Sequence, residues 1–386
     1  MNWIVAAAIV PSLVVSSAMA HALRRLAPQW GLVDQPGLRK VHAHPTPFGG
    51  GIAIWAGVVL PLAVGQAVLQ LWLRSYGDNP SNARLDLSMF GDWGARVADF
   101  VEPHLPGLVQ QAGDLWFFLA GGTVLMLLGW ADDVRELDWR FRLAVEFLVA
   151  GAVVFGRGWK LTLFIDWPVL TGAISVLWIV ALVNSFNMLD NMDGLAGGVA
   201  AIAATILAVV LLMTPDPASH QPQLFVAGFL FVLVGALVGF LFHNRPPARI
   251  FMGDAGSYFI GYCLAVTTIL ATFSGGGLPP HAILAPLCVL AVPLYDLVSV
   301  ICIRLGRGHS PFEGDTNHFS HRLVSLGLTN SQAVLTIYLT TAACGLGALV
   351  LHQVNLTGAV IIVLLIVCLL SVIAILETTA RRNMRP

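Results

Sequence analysis

The sequence predicts an all-α integral membrane protein, a polytopic bundle of about eleven transmembrane helices. Three observations carry this. Charged residues make up only 11% of the chain and hydrophobic residues 57%, whereas soluble domains carry about 25% charged residues. Mean hydropathy is +0.80. The apolar residues also fall in long runs, not in the one-sided patterns of a soluble core. Backbone groups in lipid must be satisfied within the segment, so these runs are read as helices.

The candidate runs are 2–22, 50–72, 115–131, 143–156, 170–187, 194–213, 224–242, 256–273, 281–303, 332–351 and 357–377. The fourth is short and either tilts or merges with its neighbour. The first ends in "SSAMAHALRR", which contains a small-x-small site like that of a signal peptidase. A signal peptide carries its positive charge ahead of the apolar run. Here Arg24 and Arg25 follow it. The run is therefore read as a retained helix that enters with its N-terminus outside.

Alternation then places the loops at 23–49, 131–142, 187–193, 243–255 and 304–331, and the tail after 377, on one side. That side holds 15 of the 20 Lys and Arg residues; the other holds Arg74, Arg84, Arg96, Arg157 and Lys160. The positive-inside rule makes the first side, with the C-terminus, cytoplasmic. The long outer loop at 73–114 is read as holding a short interfacial helix and no chemistry. Residues 1–386 are read as one membrane-embedded domain without internal repeats. A net charge of −1 points to no particular partner, and nothing suggests nucleic acid. The cysteines Cys263, Cys288, Cys302, Cys344 and Cys368 form no CxxC and lie in or beside apolar runs. No disulfide framework or zinc site is expected.

The predicted cytoplasmic loops are rich in chemistry. They read "VDQPGLRKVHAHPTPFGGG", "GWADDVRELDWRFR", "NSFNMLDNMDGLAGG", "FHNRPPARIFMGDAGSYFIGY" and "RGHSPFEGDTNHFSHRL". Each residue has a plain structural reading. Asp132 and Asp133 could cap the next helix. Arg381, Arg382 and Arg385 are topology signals. His42 and His44 could be solvated, and Asp254 could be a turn residue. Glu146 and Asp296 lie inside apolar runs and are harder to set aside; each could be a buried hydrogen-bonding residue. These readings weaken together because the carboxylates share one membrane face.

Several carboxylates at one site suit a hard divalent cation, and Mg2+ typically uses one or two of them together with substrate phosphates. Arg and His suit phosphate oxygens. Gly-rich turns let backbone N–H groups approach an anion. Together these describe a Mg2+-diphosphate site at a membrane surface. Its partners would be a polyprenyl phosphate in the bilayer and a nucleotide diphosphate in the water.

With these motifs in view, the sequence resembles the polyprenyl-phosphate N-acetylhexosamine-1-phosphate transferases, the family of MraY and WecA. The likeness runs from "RKVHAHPTPFGGGIAI" to "DTNHFSHRLVSLGLT". It is most specific in "NSFNMLDNMDGLAGG" and "PPARIFMGDAGS". The resemblance implies transfer of N-acetylhexosamine-1-phosphate, with GlcNAc favoured, from a UDP-sugar to undecaprenyl or another polyprenyl phosphate. UMP leaves, and the lipid-linked product starts cell-envelope glycan synthesis. It implies a multi-pass protein of the plasma (inner) membrane with a cytoplasmic active site and Mg2+, or Mn2+ in its place. A homodimer is allowed for.

The resemblance also implies residue roles. Asp254 would be the metal ligand. Asp132 and Asp133 would be the aspartate pair, one of which deprotonates or steers the lipid phosphate. Asn187, Asp190 and Asp193 would line the nucleotide end. Phe251 would stack on uracil. His318, His321 and Arg322 would lie near the diphosphate, and Lys40 and His42 would be a second phosphate-side segment. Asn187, Asp190 and Asp193 are spaced i, i+3, i+6, so they would share one face of a helix end. Asn184 would extend that stripe. Gly194 and Gly197 would let the following helix pack closely.

The chain departs from the family pattern in places. Arg142 stands where Lys is frequent, and a planar fork is not a point charge. Asn191 replaces a frequent Gly, and Ser320 interrupts a richer histidine cluster. "NHFSHRL" is closer to the WecA-type branch, which favours a UDP-N-acetylhexosamine over UDP-N-acetylmuramoyl-pentapeptide. Direct in-line attack and a two-step route through an aspartyl-phosphate both fit. Two rivals were weighed. A membrane prenyltransferase is disfavoured because "DDVRE" is not DDxxD. A secondary transporter is disfavoured because the halves do not match.

Overall fold

The computed structural model of the protein describes residues 2–34, 45–75, 91–161, 167–216, 221–271, 273, 278–312 and 315–383. Every predicted run falls on helix. In order these are α1 (Asn2–Leu26), α2 (Gly50–Ser75), α3 (Gly91–Val101), α4 (Leu105–Arg135), α5 (Trp139–Gly151), α6 (Pro168–Leu189), α7 (Leu195–Met213), α8 (Leu224–Asn244) and α9 (Gly253–Leu270). They continue with α10 (Ala285–Val289), α11 (Ala291–Gly306), α12 (Phe319–Ser325), α13 (Asn330–Val350) and α14 (Leu356–Asn383).

The chain is an all-α polytopic membrane protein. Among the described residues, 8 helical stretches are long and apolar enough to cross a bilayer. The run predicted at 281–303 is a broken one: Pro280–Val289 and Ala291–Gly306 meet at a 68° bend. The run at 143–156 is α5, continued by a π turn over Ala152–Gly156. The predicted interfacial helix of the long loop is matched by α3, and α4 begins at Leu105, well before the predicted start.

Helix α9 is short for a crossing and carries Ser257, Tyr258, Tyr262, Thr267 and Thr268. Its position explains this composition. Every residue from Ala255 to Ile269 is buried, because α4, α6 and α2 pack around it. It never meets lipid, so its polar groups are satisfied by neighbours: Trp178 Nε1 donates to Thr268 Oγ1 at 2.9 Å, and Tyr262 donates to the Phe118 carbonyl at 3.1 Å. By contrast α14 is largely exposed along its length, with Leu364, Leu365 and Ile375 all more than half exposed. That is the expected surface of a lipid-facing helix.

The chain between α1 and α2 forms a small antiparallel pair, β1 (Val33–Asp34) and β2 (Thr46–Pro47). It is pinned to the segment before α9. Phe251 N donates to Pro47 O, Gly50 N to Phe251 O and Gly51 N to Met252 O, each at 2.9 Å. The expectation that this Gly run presents free N–H groups to an anion is therefore corrected at Gly50 and Gly51. Their amides pair with backbone.

Candidate functional site

The site is built around the first turn of α9. Gly253 enters it with φ 71°, and a Cβ there would lie 2.5 Å from Asp133 Oδ2. Only glycine suits both the dihedral and the space. Asp133, from the end of α4, accepts from Asp254 N at 2.8 Å and from Ala255 N at 3.2 Å. It is thus an N-cap supplied from another helix, with its charge at the positive end of the dipole. Asp133 does cap a helix, but not the next one, because Asp138 caps α5 through Arg140 N at 2.8 Å. Gly129 brings α4 this close: a Cβ there would meet the Asp254 carbonyl carbon at 2.3 Å.

Asp132 points elsewhere. It is 6% exposed, accepts from Leu137 N at 2.7 Å, and is bound by the Arg142 guanidinium. The same Arg142 nitrogen lies 3.6 Å from Asp254 Oδ2. The other Asp254 oxygen accepts from Asn187 Nδ2 at 2.6 Å, and Asn187 also reaches Ser257 Oγ at 3.3 Å. The structure thus brings Asp132, Asp133, Arg142, Asn187 and Asp254 together from α4, α5, α6 and α9.

The predicted stripe of Asn187, Asp190 and Asp193 is not helical. α6 ends at Leu189, and the chain turns to Gly194, where φ is 77°. The three residues still converge, because each meets the segment around α9. Asp190 accepts from the Gly253 N–H. Asp193 accepts from Ala248 N at 2.8 Å. Asn244 locks the arrangement, accepting from Gly194 N and donating to Ile250 O, both at 2.9 Å. Phe251 is half-buried in this segment, in a bridge with Phe48. Asn184 turns away from the stripe, and its Nδ2 donates to Glu146 Oε2 at 2.5 Å. Close packing after the turn holds at Gly194 and Gly197, where a Cβ would lie 3.3 Å from the Tyr338 hydroxyl and 3.2 Å from Leu241, and is tightest at Gly198, at 2.0 Å from the same hydroxyl.

Negative charge dominates here. Burial, and then the charge of Asp133, push the Asp190 carboxyl up to about 7, against the pull of the Gly253 N–H. Asp34, at the end of β1, adds its field at Asp133. Arg142 is the cation paired with these acids. Such a donor set, hard oxygens in excess of cations, fits a divalent ion shared with a phosphate. It is not a closed cage: among the described residues no three His, Cys, Asp or Glu side chains are grouped to hold a metal by themselves.

A second cluster forms where α12 meets α11. Asp296, fully buried, accepts from Phe319 N at 2.6 Å and lies 3.1 Å from His318 Nδ1. His321 is half-buried, with its ring centroid 6.3 Å from that of His318. Burial and the neighbouring His318 push His321 below the ordinary histidine value. Arg322, expected near the diphosphate, is turned into the protein. It is 3% exposed, and its guanidinium is bound by Asn317 O, Ser299 Oγ and Glu377. The two departures from the family pattern touch each other: Ser320 Oγ donates to Asn191 Oδ1, linking α12 to the turn after α6. Lys40 and His42 lie outside the described residues.

The sequence assigns Asp34 and Tyr258 no role, and Glu146 and Asp296 only that of buried hydrogen-bonding residues, which both are. Glu146 and Asp296 carried a signal, as acids within apolar runs. Tyr258 carried only its place one helical turn after Asp254. It is 1% exposed and lies in the field of Asp254 and Arg142.

Residues 115–272, which contain the α4, α5, α6 and α9 parts of the site, match the model of glycosyl transferase family 4. The decaprenyl-phosphate N-acetylglucosaminephosphotransferase of Mycobacterium tuberculosis is 32% identical over 353 residues, covering 84% of this chain and 77% of that protein. The chain belongs to glycosyl transferase family 4. Two further relatives of this family member span most of its length. A probable undecaprenyl-phosphate N-acetylglucosaminyl 1-phosphate transferase of Bacillus subtilis is 26% identical, over 98% of this chain and 94% of its own. The undecaprenyl-phosphate alpha-N-acetylglucosaminyl 1-phosphate transferase of Escherichia coli is 27% identical, over 83% and 76%.

Proposed function

We propose that the protein transfers N-acetylglucosamine-1-phosphate from UDP-GlcNAc to a polyprenyl phosphate, releasing UMP. The observation that carries this is the convergence of Asp132, Arg142 and Asn187 on Asp254. The named activities of its full-length relatives supply the substrate class.

Two anions must meet for this reaction. A lipid phosphate is largely ionised near neutral pH, its second pKa being about 6 by analogy with phosphoserine. It needs little base catalysis, which leaves positioning and charge compensation to the protein. Mg2+, when bound, would neutralise phosphate oxygens and stabilise charge on the departing UMP, and Asp254 would hold it. Asn187 orients the Asp254 carboxylate through one oxygen. Arg142, fixed by Asp132, stands beside the other and offers a planar fork to a phosphate. Asp133 holds the first turn of α9 in register. The lipid phosphate oxygen attacks the β-phosphorus of the donor. The bond from that phosphorus to the bridging oxygen breaks, and UMP carries the electron pair away. His318 and His321 stand on the α12 side for the diphosphate, and Phe251 with Asp193 for the uracil. Arg322 is a holder of α12 in this account, not a phosphate ligand.

The same reading has eleven crossings in one membrane domain, with the N-terminus outside and the site on the cytoplasmic face. The concentration of Lys and Arg on one set of loops supports it. The test is UMP release by purified protein given undecaprenyl phosphate, Mg2+ and, in parallel, UDP-GlcNAc, UDP-GalNAc and UDP-MurNAc-pentapeptide. Lipid-dependent UMP from UDP-GlcNAc is expected. Release from another donor alone would replace the sugar, and release without lipid would remove the acceptor.

A further inference from the structure

Arg322 lies in the basic motif but is buried. Two of its nitrogens are hydrogen-bonded and the third is in an ion pair. Nη1 donates to Asn317 O at 2.7 Å, Nη2 donates to Ser299 Oγ at 2.8 Å, and Nε lies 2.8 Å from Glu377 Oε2. The side chains of this ion pair are 2% and 4% exposed. A buried guanidinium without its carboxylate would be an uncompensated charge.

Glu377 comes from the far end of the chain. It is in α14, a helix that otherwise shows lipid a run of large apolar side chains. Sequence reasoning took the run 357–377 only as the last crossing. Yet Glu377 is 5% exposed and receives a second partner, the Tyr295 hydroxyl, at 3.1 Å. Tyr295 packs edge-on against Phe319 with ring centroids 5.4 Å apart, and the Arg322 Cζ lies 5.6 Å from its centroid. The next residue, Asp296, holds His318 and Phe319 N. Helix α12 has only 7 residues and cannot hold its own orientation. Its histidines are therefore set by α11 on one side and by Glu377 on the other.

We propose that Glu377 is a positioning residue for the His318/His321 pair, acting through Arg322. The C-terminal helix thereby completes the diphosphate side of the site. This rests on the proposed transferase reading for its catalytic consequence, but not for its structural one.

The test uses the full-length protein in detergent and two readouts, UMP release and amide hydrogen exchange. Glu377→Gln should lower kcat on the order of tenfold, as loss of a supporting-shell partner does, while the KM for UDP-GlcNAc stays within about twofold. Amides of residues 319–325 should exchange faster, with those of α4, α6 and α9 unchanged. Glu377→Asp keeps the charge and should recover most of kcat; it also serves if Glu377→Gln does not fold. Combined with His321→Ala, Glu377→Gln should add no more than about a twofold further loss, because residues acting as one unit are not additive. Wild-type kcat in Glu377→Gln, unchanged exchange at 319–325, or fully multiplying losses would each overturn the proposal. If the wild-type protein releases no UMP, the reaction is wrong, and the exchange readout alone decides whether Glu377 positions α12.

Discussion

The two halves of the site treat charge in opposite ways. Around α9, carboxylates outnumber their cation. Asp132 has Arg142, while Asp190 is pushed up to about 7 by burial and by Asp133. Around α12, each acid has its own partner: Asp296 has the His318 ring, Glu377 has Arg322, and Asp315 has Arg304 at 3.0 Å. Matched buried pairs mostly specify geometry. Unmatched ones have a ligand to wait for. In the proposed function, the acidic half is where binding would change the electrostatics, and the α12 half is the frame that holds the histidines.

This contrast can be broken experimentally. The largest effect is expected for Asp254→Asn, which should cut UMP release on the order of 10²–10³-fold, the scale of losing a central electrostatic group. Its melting temperature should hold or rise, because a crowded negative charge is removed. Unchanged turnover would shift the centre of the site away from α9. Gly253→Ala should destabilise the protein by about 1–3 kcal/mol through its positive φ, with activity falling as Asp133 is displaced. Thermal melting with a turnover assay checks both.

Asp133→Asn tests the cap. It should cost about 1 kcal/mol of stability, as other capping losses do, and lower kcat less than Asp254→Asn does. A larger kcat loss than Asp254→Asn would make Asp133 the chemical residue of the pair. Phe251→Ala should mainly raise the KM for UDP-GlcNAc, by on the order of tenfold for one lost stacking contact. An unchanged KM would remove the ring from the nucleotide site.

The smallest effect concerns the basic half. Burial pushes the Asp315 carboxyl up, but hydrogen bonds from Arg304 and Asn317 outweigh this and hold it at about 2. The stability it contributes is present above the ordinary carboxylate value of about 4 and is lost as pH falls toward 2. Asp315→Asn should lower stability by a roughly constant amount above pH 5 and flatten its fall between about pH 4 and pH 2. A stability loss that persists undiminished toward pH 2 would contradict the assignment.

The residues that do the site's work were legible in part. Asp132, Asn187 and Asp254 stood out because acids and amides at the ends of apolar runs have few structural uses. Their convergence was anticipated, but the geometry was not. The spacing of Asn187, Asp190 and Asp193 suggested a helical face, and Gly194 instead turns the chain. Asp133 looked like a cap for its neighbour, but its partner is 121 residues away, which no local pattern records. Glu377 was hidden by the hydrophobic run that contains it. Asp296 was visible as an oddity but not as the holder of His318, since its bond spans 22 residues.

The most direct measurement of the central claim is a Mg2+ titration of UMP release, with UDP-GlcNAc and undecaprenyl phosphate, for the wild-type protein and Asp254→Asn. The account predicts no turnover in chelator, saturable recovery for the wild-type, and a curve for the variant that stays near zero or moves to much higher Mg2+. Full turnover in chelator, or superimposable curves for the two proteins, would contradict it.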